Sequence, residues 1–388
     1  MPPLPMKILY HHRIASRDGG STHIEEMIKA FRGLGHTVSI AAPSPGAEGG
    51  AGSGGGLVAW LKSHLPRALY EVMEFGYSAV AYRRLAALIR RERPDFIYER
   101  YNMLLLAGVW ASRKFGIPLV QEVNAPFALE RIEYGGLALP RFARWAERYV
   151  WRNSDAVLPV SNVLAVHVRA EGVAADKVHV IPNGIDPAAF AELPGREEAK
   201  ARAGLQGRLV IGFTGFVRDW DRLDRVVKWM AGYSGPENLH LLIVGDGPAR
   251  QSIESCAALH GVTERVSFTG VVARDGVAKA ARAFDIALQT NLVPYISPLC
   301  LFEYLALAVA IIAPDQPNHH EILEHGRSAM LYDTADPAGL EKSIEALVSN
   351  ETLRESIAAA GPSVIREKRF TWQDNAANVC DIVRTIGP

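Results

Sequence analysis

Read as apolar and polar positions, the chain alternates short apolar runs with longer segments whose apolar residues recur every three to four positions. In the first half the runs fall at Lys7–Tyr10, Thr37–Ala41, Phe96–Tyr98, Leu119–Val123, Ala156–Pro159 and Val178–Ile181. Between them, His23–Leu34 and Tyr82–Arg91 carry the helical period. The pattern then restarts, with runs at Leu209–Gly215, His240–Val244, Val266–Thr269, Ile286–Gln289, Val309–Ala313 and Met330–Tyr332. Helical segments such as Ala249–His260 and Leu340–Val348 lie between these. Uniformly apolar strands alternating with helices predict parallel sheets covered on both faces. Two such series in succession predict an α/β chain of two doubly wound domains.

The break between the series is expected at Ile181–Pro187, where Pro and Gly punctuate before a charged stretch, Glu192–Gly207. This predicts one domain over residues 1–185 and a second over 186–369. A chain of 388 residues agrees with two domains at roughly 100–200 residues each. Gly46–Gly56, nearly all Gly, Ala, Ser and Glu, cannot pack and reads as a surface loop.

Charge refines the picture. The 42 basic and 42 acidic residues cancel, which argues against a coat for nucleic acid. They are unevenly placed, however. Up to Ile185 there are 22 basic and 16 acidic residues, and from Asp186 onward 20 and 26. The first half is therefore +6 and the second −6. Cys256, Cys300 and Cys380 are too scattered for a disulfide framework or a metal finger, which fits a reducing cytoplasm. The start of the chain lacks the pattern of a signal peptide, and no run approaches the roughly 18 apolar residues of a spanning helix.

In doubly wound sheets ligands bind beyond the carboxyl ends of the strands, so residues directly after strands carry the candidate chemistry. After the first strand comes His12, then Gly19 and Gly20 before a helix, an arrangement that lets backbone amides approach an anion. Phe213–Trp220 and Leu241–Pro248 are two further junctions, offering Gly215, Arg218 and Gly245, with Arg222 close by. Asp246 reads as a turn residue. Ser297 and Pro298 read as a helix start, Ser at the cap and Pro at the first position, leaving the amides of Leu299 and Cys300 free for an anion. Glu303 falls one turn on, where its carboxylate suits a ribose diol or a backbone donor.

These segments, in this order, resemble the retaining glycosyltransferases of family 4, which have the GT-B fold of two facing Rossmann-like domains with an interdomain cleft. The resemblance rests on Lys7–Tyr10 with Gly19 and Gly20, Asp95–Arg100, Val123–Pro126, Ser161 and Ile181–Asp186. It continues through Phe213–Gly215, Val244–Pro248, Phe268–Gly270, Ser297–Pro298 with Phe302–Tyr304, and Glu321–Leu323 with Gly326. It implies transfer of a sugar from a UDP- or GDP-sugar to a glycan, lipid-linked or small-molecule acceptor, with no metal or other cofactor. It places Glu303 on the ribose, and Leu299, Cys300, Arg218 and the Gly19–Gly20 loop at the diphosphate. Val271 and Val272 would lie near the base, and His12 and Asn124 by the sugar or acceptor. A final helix at Trp372–Ile386, within residues 370–388, would return to the first domain. The chain departs from the family at Tyr295, where one of two paired glutamates usually stands, at Cys300, where a lysine is common, and at Asn124, where a histidine is expected.

Other chemistries lack their signatures. Adjacent histidines at His11–His12 and His319–His320 have no carboxylate at ligand spacing. There is no Gly-x-Ser-x-Gly elbow and no Walker sequence. A weakened nucleotide-binding family member acting as a scaffold, motivated by Cys300, and a nucleotide-sugar epimerase are the alternatives. Finally, Leu61–Arg93 and the stripe of Arg141, Arg144, Arg148 and Arg152 mix arginines with aromatics, as an anionic membrane or lipid-linked acceptor would favour. This predicts a cytoplasmic protein with contact at the inner face of the membrane.

Overall fold

A computed structural model describes residues 4–14, 19–42, 65–133, 135–235 and 238–387. The chain forms two compact units. One comprises Met1–Asn183, Tyr295–Ser297 and Trp372–Pro388; the other comprises Gly184–Pro294 and Pro298–Thr371. The Gly46–Gly56 segment and residues 61–64, the start of Leu61–Arg93, lie outside the described residues.

The first unit is built on β1 (Lys7–His11), β2 (Thr37–Ala41), β3 (Phe96–Arg100), β4 (Leu119–Val123) and β5 (Ala156–Pro159), all parallel in the order β2-β1-β3-β4-β5. Leu9, Ile97, Leu119 and Val157 pack with Leu85 and Ile89 of the Arg67–Glu92 helix and with Trp151 of the Pro140–Asn153 helix. The opposite face carries Tyr10 and Tyr98, against which Phe31 of the Gly19–Gly33 helix packs edge-on at 5.6 Å. The Trp372–Ile386 helix packs on the Gly19–Gly33 helix, and Trp372 sits edge-on to His23.

The second unit holds six parallel strands in the order β11-β10-β9-β6-β7-β8. They are β6 (Leu209–Thr214), β7 (Leu239–Val244), β8 (Val266–Phe268), β9 (Ile286–Leu288), β10 (Ala310–Pro314) and β11 (Met330–Tyr332). From β6 the chain builds outward to β8, then returns to place β9 on the other flank of β6. The gap between β6 and β9 is therefore the point where strand order reverses.

Two sequence expectations fail locally. Val178–Ile181 is not a strand: it meets β5 through a single bridge, Val178 to Val157. The amides of His179 and Ile181 do donate to Val157 and Pro159, but Pro159 and Pro182 carry no N–H to extend the ladder. The Ser297–Pro298 helix start is also displaced. Pro298 occupies the cap, the helix runs Leu299–Ala306, and no side chain caps it.

Candidate functional site

In the second unit, the loop after β6 and the helix after β9 flank the reversal point. Gly215 (φ +147°) and Gly245 (φ +144°) directly follow β6 and β7, and the Gly215 amide donates to the Val244 carbonyl. A Cβ at Gly245 would lie 1.9 Å from the Gly215 carbonyl oxygen, so only glycine allows these two loops to touch. Asp246 accepts from the Gly247 amide and from Arg250, which makes it a turn residue.

Arg218 follows β6 between two exposed rings, its guanidinium 5.1 Å from Phe216 and 4.7 Å from Trp220. Its amide donates to the buried Asp221 carboxylate at 2.8 Å. Burial pushes the Asp221 carboxyl upward despite that hydrogen bond. Arg222 is exposed and left-handed, heading the Leu223–Gly232 helix.

The Leu299–Ala306 helix presents a half-buried Glu303, with Leu301, Phe302, Tyr304 and Leu305 in the core. Thr214, at the end of β6, bonds the Tyr304 hydroxyl through both amide and side chain, locking helix to strand. Leu299 and Cys300 occupy the first turn, where amides lack intrahelical acceptors. Burial and then the Glu303 charge push the Cys300 thiol up to about 12, so it stays neutral where the resemblance leads one to look for a cation. Val272 packs against the core, whereas Val271 is 90% exposed.

The first unit holds a different assembly. Glu122 of β4 is fully buried and accepts from Tyr98 at 2.9 Å, Arg100 and Asn124. His23 lies 3.0 Å from the same carboxylate. Burial alone would raise the Glu122 carboxyl, but His23, Arg100 and Asn124 outweigh it and hold the group well below the usual range. Beside it, His11 pairs with the buried Glu99 of β3. His12 follows β1; burial, then the neighbouring His11, lower its imidazole to about 4, so it is neutral at pH 7.

Of the sequence-predicted residues, His12, Asn124, Gly215 and Gly245 thus stand directly after strands, and others differ in place. Gly19 and Gly20 are the first residues of a helix rather than a loop before it. Asn124 turns back onto Glu122. Ser297 belongs to the first unit: its hydroxyl accepts from the Asn183 amide at 3.1 Å, and Asn183 in turn accepts from His23 at 2.8 Å. Tyr295 joins the same unit, donating its hydroxyl to Glu130 at 2.6 Å. His319 is buried against the Pro314 carbonyl and His320 pairs with Asp315, so the two histidines point to separate partners. Among the described residues no group of three His, Cys, Asp or Glu side chains could hold a metal ion. Glu99, Glu122, His23 and Asn183 were not singled out from the sequence. The signal present was a carboxylate inside each of two adjacent apolar strands, which a chain buries only when it is partnered.

Residues 18–184 match the family described as a glycosyl transferase 4-like domain, and residues 202–350 match glycosyl transferases group 1. The chain is 29% identical over 231 residues to a 2-deoxystreptamine glucosyltransferase of Streptomyces kanamyceticus, covering 55% of this chain and 58% of that one. It is 27% identical over 284 residues to a phosphatidyl-myo-inositol mannosyltransferase of Mycobacterium leprae, covering 72% and 70%. Among solved structures, Alr3699/HepE of Anabaena in complex with UDP and glucose superposes with a TM-score of 0.75 at 17% identity, covering 98% of this chain and all of that one. Sucrose-phosphate synthase of Thermosynechococcus elongatus gives 0.72 at 16%, covering 98% and 99%.

Proposed function

The chain belongs to the group 1 glycosyl transferases, with the GT-B fold, and on that premise we propose that it moves a sugar from a nucleoside diphosphate sugar to an acceptor with retention of anomeric configuration. The observation that carries this reading is the pairing of Arg218, after β6, with the Glu303 helix, after β9, on either side of the reversal point of one sheet. The UDP and UDP-glucose bound by the Anabaena protein support a nucleotide-sugar donor here.

In this reading the Glu303 carboxylate accepts from the ribose hydroxyls. Charge builds on the departing diphosphate, and Arg218 with the first-turn amides of the Leu299–Ala306 helix stabilises it without a metal. The acceptor hydroxyl attacks from the donor's own face, and the departing phosphate takes its proton. His12, neutral at pH 7, orients sugar or acceptor through hydrogen bonds rather than charge.

The experiment is nucleotide release from a panel of UDP- and GDP-sugars. Glu303→Ala should lose about 1.5–3 kcal/mol of hydrogen bonding to a charged group, or roughly 10- to 150-fold in kcat/KM. Tight nucleotide binding without turnover of any donor would instead make the chain a binding partner, as the neutral Cys300 would allow. Sugar interconversion without release would make it an epimerase.

The acceptor side of this reading is an anionic lipid surface. Leu69, Val72, Met73 and Val80 form an exposed apolar stripe along the Arg67–Glu92 helix, which continues into Arg83 and Arg90. Apolar anchors followed by cations suit the boundary of an anionic bilayer. No helix among the described residues is long and apolar enough to cross a membrane.

A further inference from the structure

The second unit carries a cleft away from the loops that follow its strands. Arg225 of the Leu223–Gly232 helix donates to Glu341 of the Gly339–Ser349 helix at 2.8 Å, which holds the two helices side by side. One turn on, at i+4 from each partner, stand Trp229 and Glu345. There the helices leave an open cleft of about 610 Å³, walled by Lys228, Trp229, Tyr233, Glu345 and Ser349. Gly232 also lines it, and a Cβ at that position would meet nothing within 4 Å. Both helices start beyond the carboxyl ends of strands, after β6 and after β11, and run back along a parallel sheet. The cleft at their last turns therefore lies at the opposite rim from Arg218 and the Glu303 helix. Ten residues of helix at about 1.5 Å each put roughly 15 Å between the two rims.

The lining selects a chemistry. Trp229 and Tyr233 pack on the core and are half-buried, with ring centres 5.1 Å apart and planes tilted by 35°, a bent aromatic platform. Glycine at 235 lets Tyr233 adopt this position, since a Cβ there would fall 2.1 Å from the Tyr233 hydroxyl oxygen. Aromatic faces carry partial negative charge and attract the C–H groups of a ligand ring. At the rim the exposed Glu345 carboxylate can accept hydrogen bonds. Lys228 gives one of its ammonium hydrogens to Asp224 at 2.8 Å and has others to donate. A simple anion would meet Glu345, and a simple cation would meet Lys228. A neutral pyranose suits both features, with C–H groups on its faces and hydroxyls round its edge. The volume falls within the roughly 300–1,000 Å³ of small-molecule sites, and the open mouth lets a chain continue on either side.

We propose that this cleft is a saccharide site, separate from the donor site, that holds an internal sugar of a neutral glycan. That the glycan is the acceptor or product rests on the transfer reading above; sugar binding itself does not. A long acceptor held there gains the effective concentration of a second attachment, so the cleft favours polymeric acceptors over single sugars.

The test follows the indole N–H resonance of Trp229 in the full chain, identified by its loss in Trp229→Phe, while maltohexaose or α-1,6-linked mannohexaose is added. At least one of the two should give a saturable shift. Gly232→Leu fills the cleft from a position with open space and should raise the half-saturating concentration at least tenfold. Leucine is also the better helix former, so weaker binding in that variant does not reflect unfolding. Glu345→Ala should raise the midpoint severalfold. No shift with either sugar, equal midpoints in the wild type and Gly232→Leu, or a shift with inorganic phosphate or tetramethylammonium but with neither sugar overturns the proposal. If the wild type releases nucleotide from a donor yet shows no sugar shift at Trp229, this inference fails and the transfer reading stands. If it shows the shift but turns over no donor, the saccharide site stands and the transfer reading fails.

Discussion

Glu147, on the inner face of the Pro140–Asn153 helix, is 3% exposed and accepts the Ala128 amide proton at 3.2 Å. Burial, only partly offset by that hydrogen bond, pushes its carboxyl up to about 7 from 4.5. The folded chain therefore holds a proton that the unfolded chain releases. Stability from this group is complete below about pH 4.5 and declines as pH rises to about 7, a loss on the order of 3 kcal/mol. Glu147→Gln keeps an acceptor for Ala128 and removes the titration. Denaturant melts should show its advantage over the wild type growing by about 2–3 kcal/mol between pH 5 and pH 8; a constant difference would refute the assignment. At this scale the sequence was only partly legible. Arg218 was open to a reading by position because it follows β6, and Glu303 because it lies one turn beyond a Ser-Pro signal. Ser297 misleads because Ser-Pro is a local capping signal, whereas its hydroxyl is engaged by Asn183 from far along the chain. Glu122 is hidden because its partners, Tyr98 and Arg100 of β3 and His23 of the Gly19–Gly33 helix, come from two other elements that only the fold assembles.

Strands and helices were far more legible, because an apolar run between helical periods has few alternatives. Thr37–Ala41, Leu119–Val123, Ala156–Pro159 and Met330–Tyr332 have the expected bounds, and the other formed strands shift by one residue or two. Val178–Ile181 fails through its prolines, a backbone effect that hydrophobicity does not report. The Arg67–Glu92 helix lies within the basic helix read at Leu61–Arg93, but its helical period was plain only over Tyr82–Arg91, because its earlier turns place apolar residues on the outside as well as the inside. That outward face makes its own prediction. Phe142, Trp145 and Tyr149 stack in series on the neighbouring helix, with Trp145 48% exposed, and Phe142 meets Phe75. The protein should sediment with anionic liposomes and remain in the supernatant when neutral ones are pelleted. The double substitution Leu69→Asp and Val72→Asp should weaken this several-fold. Equal sedimentation with both lipids would end the membrane reading. The arginine stripe is less available than its spacing suggests, since Arg148 pairs with Glu171 and Arg152 donates to the Glu171 carbonyl.

For the molecule as a whole, neutrality concealed two oppositely charged halves, and the two series of strands and helices were legible as two parallel α/β sheets. What the sequence did not reveal is that Tyr295–Ser297 also belongs to the first unit, held there by Ser161, Glu130 and Asn183. The final helix is integral to that unit: Trp372 is buried against His23, and Cys380 contacts His36 at 3.2 Å. Trp372→Ala should cost the first unit about 3–5 kcal/mol, measured as an earlier urea transition of that unit, and an unchanged transition would show the helix to be dispensable. This discontinuity also bears on how the protein is made. The first unit leaves the ribosome early but lacks its closing helix until the whole second unit has been synthesised. At about 5–20 residues per second, the stretch from Gly184 to Thr371 imposes a wait of roughly 10–40 s. Throughout that interval the nascent chain displays the surface of the Gly19–Gly33 helix that Trp372–Ile386 will cover, a natural target for chaperones. A transcript cut short within the second half would yield a protein marked for degradation by that same uncovered surface.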